Sequence, residues 1–109
     1  MHKEDLVYID HIKLGILKIK NYMKGQNKEL FLKNELIQDA VVRNFEIIGE
    51  ASKNLSSEFK EKYPDIPWKD IAGMRDKLIH HYMGVDIDVV WKTVKEDIPF
   101  LEKVLKKII

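Results

Sequence analysis

Apolar residues in this 109-residue chain recur every three or four positions, and that spacing limits what it can fold into. Leu6, Ile9, Ile12, Ile16, Ile19 and Met23 lie on one stripe of an α-helix, because 3.6 residues per turn returns them to the same side. Ile37, Val41, Phe45, Ile48 and Leu55 form a second stripe; Val90, Val94, Leu101, Leu105 and Ile108 form another. No segment alternates with period two for long, so no sheet is expected. The reading is an all-α fold: an antiparallel bundle of four main helices plus short ones, in a single domain of residues 1–109.

Turn and cap residues punctuate the stripes. Gly25 stands where a helix C-terminal glycine belongs, and Asn34, Ser56 or Ser57, and Asp86 are N-cap candidates. Pro67 suits the first turn of a third main helix, "WKDIAGMRDKLIHHY", which Gly84 ends. Gly49 sits inside the second long helix at a cost of about 1 kcal/mol relative to Ala, which points to close helix packing. Pro99 lies inside the last pattern and is expected to kink or split it near Asp97–Ile98. Trp68 and Trp91 read as packing residues.

Composition removes several function classes. Net charge is only +1, so the chain is not a strongly basic nucleic-acid scaffold, although residues 1–28 hold six Lys against three acids. With no Cys, disulfide and thiolate chemistry are excluded. The N-terminus "MHKEDLVYID" lacks the apolar core of a signal peptide, and no run approaches a membrane span. A cytoplasmic protein that does not engage a membrane is expected. No Gly-rich phosphate loop and no Ser-His-Asp arrangement is present, so no cofactor is expected.

What remains is "MRDKLIHHY", residues 74–82, which crowds Arg75, two of the chain's four histidines and Tyr82 together. These side chains suit RNA cleavage. Imidazole titrates near neutrality and can serve as base or acid, and the guanidinium fork of Arg matches a phosphate. On a straight helix, however, Arg75 and His80 lie about 140° apart, so they converge only if the helix ends near His80 or a second chain contributes. The plainer reading is that Arg75 pairs with a carboxylate while the imidazoles and phenol line the surface. A metal pair at His80–His81 is disfavoured, because neighbouring helical residues diverge by about 100°. A second polar set, Asp39, Arg43, Glu46 and Glu50, shares one face of the second long helix. It is either an ion-paired surface, with Asp39–Arg43 and Arg43–Glu46 spaced to pair, or a wall facing a site.

The stretch "IAGMRDKLIHHYMGVD" resembles the Arg-x4-His-x-Tyr signature of the HEPN superfamily, and within it the HepT toxin family. "QDAVVRNFEIIGEASKNLS", "YPDIPWKDIAGMRD" and "VDIDVVWKTVKEDIPFLEKVL" match that family in order, so the resemblance spans roughly residues 3–105. It implies a helical domain that dimerises and brings two motifs together across a cleft. It further implies a metal-independent ribonuclease toxin, silenced when an MntA-like nucleotidyltransferase antitoxin transfers AMP from ATP to the motif tyrosine. Carried over, Arg75 and His80 are catalytic, Tyr82 is the AMPylation acceptor, and Asp39 and Arg43 support the cleft. Asp76 stands where relatives often carry Asn, and His81 adds a second imidazole; both are placed with the cleft support. Structured RNAs, tRNA among them, are the substrates the superfamily suggests. The alternative is a non-catalytic helical module that binds nucleotide or partners a nucleotidyltransferase.

Overall fold

The computed structural model describes the backbone of residues 3–80 and 84–108 and, apart from Ile79 and His80, their side chains. Three long helices dominate: α1 (Lys3–Met23), α3 (Glu35–Asn54) and α7 (Ile87–Leu105). Short helices α2 (Lys28–Lys33), α4 (Ser57–Lys62), α5 (Trp68–Ala72) and α6 (Met74–Leu78) connect them. Each long helix buries its apolar stripe. Ile9, Ile12, Ile16 and Ile19 from α1 meet Val41, Phe45 and Ile48 from α3 and Val90, Ile98 and Leu101 from α7.

Two contacts set the direction of α1 along α3. The Ser56 amide, just beyond α3, donates to Asp5 Oδ1 at 2.8 Å, while Gly15 lies against Ile48. The start of α1 therefore sits at the end of α3, and the pair runs antiparallel. On the other side, Lys13 and Ile16 share a groove with Leu105 and Ile108 while Met23 shares one with Val94 and Ile98, so α1 also runs antiparallel to α7, with Lys20 and Glu102 joined at 2.8 Å.

The crossing of α1 and α3 depends on Gly15. A Cβ there would stand 2.8 Å from Ile48 Cγ1, inside van der Waals contact. Gly15→Val is expected to cost about 1–3 kcal/mol through overpacking, read as a lowered thermal midpoint. Gly49 serves the same purpose elsewhere, since its Cβ would lie 3.2 Å from the Ala72 carbonyl oxygen of α5.

The caps follow local chemistry. Asn34 Oδ1 accepts from the Ile37 amide at 3.0 Å, Ser56 Oγ from Phe59 at 3.1 Å and Asp86 Oδ1 from Val89 at 3.2 Å. Gly25 turns the chain after α1 with φ 77°, a conformation open to glycine.

Two segments depart from expectation. The third main helix, expected to run from Trp68 through Tyr82, is two short pieces divided at Gly73, and it stops at Leu78. Gly73 closes the first piece by donating to the Lys69 carbonyl, and its own carbonyl accepts from Lys77 to start the second. Residues Ile79–His80 (β1) then pair antiparallel with Gly84–Val85 (β2), Ile79 opposite Val85 and His80 opposite Gly84. This two-residue ladder is a small addition to a helical fold, and Gly84 stands at φ 75°. At the other end, α7 is one helix through Pro99 and is not split near Asp97–Ile98. Pro99 and Lys95, the residue four before it, are both exposed, so the carbonyl that loses its donor can bind water.

Candidate functional site

A cleft of about 400 Å³ opens between α1, α3 and α6. Along α3 it is lined by Arg43, Glu46, Ile47, Glu50, Ala51 and Asn54, by Tyr8 and His11 from α1, and by Arg75 from α6. Positions 43, 46, 47, 50, 51 and 54 are three or four apart and share one side of α3. That side adjoins the buried stripe, which explains how Ile47 and Ala51 alternate with charged neighbours.

Arg75 sits at the junction of α3 and α6. Its Nε lies 3.7 Å from Glu46 Oε2, and its Nη1 lies 3.6 Å from Asp76 Oδ1. Both separations are loose for ion pairs, and the side chain is 55% exposed, so its donors remain available to an anion. Glu46 holds the fork from the cleft side; Asp76, itself largely exposed, holds it from its own helix. Of the two readings the α3 spacing left open, an intrahelical Arg43–Glu46 pair is not formed among the described residues, and Glu46 lies toward Arg75 instead. Among the described residues Arg43 makes no ion pair within 4 Å with either Asp39 or Glu46, and it faces the cleft as a second exposed guanidinium.

The ending of α6 bears on Arg75 and His80. The helix stops at Leu78, and His80 stands on the extended β1 backbone. The 140° of helical phase expected between the two residues therefore does not apply. Asp39 is exposed one turn before Arg43 and does not line the cleft. His81 and Tyr82, read as cleft support and modification acceptor, lie outside the described residues.

Two further cleft residues were not candidates in the sequence. Tyr8 and His11 form an edge-to-face pair with ring centroids 6.2 Å apart and planes at 79°. Their spacing of three puts both on one side of α1, off the apolar stripe. That spacing was the available clue, but it does not indicate that α3 and Arg75 face them. Among the described residues no group of three or more His, Asp or Glu side chains is placed to hold a metal. No helix there is long and apolar enough to cross a membrane.

Comparison with known proteins shows the family. The profile of the family described as "Ribonuclease HepT-like" matches residues 12–108. A protein of Thermococcus cleftensis named "Probable ribonuclease HepT" is 49% identical over 98% of this chain and 94% of its own length. A "Putative RNase" of Caldanaerobacter subterraneus subsp. tengcongensis is 48% identical over 94% of this chain and 91% of its own. A Methanocaldococcus jannaschii protein named "Gamma-glutamylcyclotransferase and putative RNase" is 48% identical over 99% of this chain, which spans 49% of that longer protein. No solved structure matches significantly.

Proposed function

Because the chain belongs to the ribonuclease HepT-like family, we propose that it is a metal-independent endoribonuclease and the toxin of a toxin–antitoxin pair. The observation that carries this reading is Arg75: a half-exposed guanidinium at a cleft, loosely held by Glu46, five residues before a histidine on extended backbone.

The roles follow from chemistry. His80 takes the proton of a ribose 2′-hydroxyl. The resulting oxygen attacks the adjacent phosphorus, the bond to the 5′-oxygen breaks, and that oxygen gains a proton as it leaves. Arg75 binds the scissile phosphate and stabilises its extra negative charge. Arg43 meets a neighbouring phosphate; Asp76 and His81 are supporting residues, with Asp76 orienting Arg75. No step requires a metal, so cleavage of RNA by the purified chain should persist in a chelator. The family reading adds a dimer in which two such motifs face one cleft.

Tyr82 is the proposed off-switch. Its phenolic oxygen attacks the α-phosphorus of ATP held by a partner nucleotidyltransferase. An O–P bond forms, the bond to the β-phosphate bridge breaks, pyrophosphate leaves and the phenol proton passes to base. The added phosphodiester brings bulk and negative charge two residues from His80, where it repels an RNA phosphate. Tyr82→Phe should abolish incorporation of labelled AMP by the cognate transferase; a persisting label would move the acceptor elsewhere.

One observation favours a second reading. Glu46 and Glu50 line the cleft beside the two arginines, so its charges balance. A balanced cleft suits a non-catalytic module that partners a nucleotidyltransferase, and this reading requires tight complex formation with no RNA cleavage at any enzyme level.

A further inference from the structure

The cleft has two chemically different ends. Arg43, Glu46 and Arg75 make one end charged. At the other, the antiparallel course of α1 sets Tyr8 and His11 beside Ala51 and Asn54, since Asp5 meets Ser56 and Gly15 meets Ile48. A rise of 1.5 Å per residue puts Asn54 about 12 Å along α3 from Glu46, a length that adjoining nucleotides of one strand can span. This second end offers the exposed His11 ring with the Tyr8 ring set edge-on to it, an apolar lining from Ala51 and Ile47, and the Asn54 amide, which can both donate to and accept from a base edge, with the Glu50 carboxylate between the two ends.

We infer that Tyr8 and His11 form a nucleobase-stacking subsite, which makes the substrate an RNA with an unpaired nucleotide beside the scissile phosphate. The inference rests on the ribonuclease reading and adds to it the class of RNA. Phosphate contacts alone carry no preference for single strands, because both forms present phosphates. A flat aromatic face does, because a paired base is already stacked within its helix, whereas an unpaired base can be splayed onto a ring. His11 is exposed and Tyr8 half-buried, so the pair combines an accessible ring with an anchored one.

The test uses the full chain and 2′-fluoro oligonucleotides, which lack the attacking hydroxyl and so report binding without cleavage. The wild type should bind a single strand more tightly than a blunt duplex of the same sequence. Tyr8→Leu and His11→Leu should each weaken single-strand binding about 10-fold, with duplex binding unchanged, and Tyr8→Phe should bind as wild type. The exposed His11 keeps the test independent of Tyr8's packing. Variants that bind single strands as tightly as wild type, or that lose single-strand and duplex binding equally, would overturn the subsite. If the wild type still cuts natural RNA in a chelator in that case, the ribonuclease reading survives and only the subsite falls. A wild type that neither binds nor cuts RNA removes both.

Discussion

His80→Ala is expected to lower RNA cleavage by about 10²–10⁴-fold in the presence of a chelator, the range spanned by a positioned acid or base. Arg75→Ala should produce a loss of similar size by a different route. Removing the guanidinium would delete the charge proposed to bind phosphate and also release Glu46 and Asp76, which it now contacts at 3.7 and 3.6 Å. Two unneutralised carboxylates would then border the proposed phosphate position. Arg75→Lys should fall between wild type and Ala, since a point charge remains but the planar fork is lost. None of the Arg75 effects should come from unfolding. The side chain is 55% exposed, and surface ion pairs contribute at most about 1 kcal/mol, so thermal midpoints should stay within a few degrees of wild type. Cleavage assays run beside melting curves separate the two causes. Full cleavage by His80→Ala would remove His80 from the chemistry, and an unchanged Arg75→Ala would do the same for Arg75.

The contrast between what the residues announced and what they did not follows the range of each interaction. Caps at Asn34, Ser56 and Asp86 were readable because each bonds an amide three residues ahead. The α3 stripe was readable because Val41, Phe45 and Ile48 need only one continuous partner surface. The break at Gly73 was hidden by the same periodicity. Trp68, Ile71, Met74 and Leu78 are all buried at steps of three or four, so the apolar pattern runs through a point where the backbone changes course. The phase of α1 was misjudged at its start: Leu6 is 46% exposed while Asp5 is buried, because the partner of Asp5 is 51 residues away. The site shows the same division. The cluster around Arg75 stood out locally, and the polar set on α3 was visible as a face. The pairing of Glu46 with Arg75, and the presence of Tyr8 and His11 opposite, depend on how three helices pack, and no short spacing encodes that.

The buried carboxylate of Asp5 carries the largest expected effect on stability. It is 1% exposed and, among the described residues, accepts from the Ser56 amide at 2.8 Å and the Ser56 hydroxyl at 2.6 Å. Ser56 in turn accepts from the Phe59 amide to start α4, and the Phe59 ring is buried against Tyr63 and Trp68. One side chain thus joins the first turn of α1 to the turn that follows α3. Asp5→Ala would leave the Ser56 amide without its acceptor and is expected to cost about 2–4 kcal/mol, since a hydrogen bond to a charged group contributes about 1.5–3 kcal/mol. For a chain of this size that corresponds to a fall of roughly 10–25 °C in the thermal midpoint. Asp5→Asn retains an oxygen for the amide and should recover about half of the loss. Tyr8 lies one turn beyond Asp5 on α1, so the clamp also sets the aromatic end of the cleft against Asn54. Assayed below its melting transition, Asp5→Asn should therefore bind single-stranded RNA more weakly while its duplex binding stays unchanged. Equal weakening of both would mean that Asp5 serves stability alone.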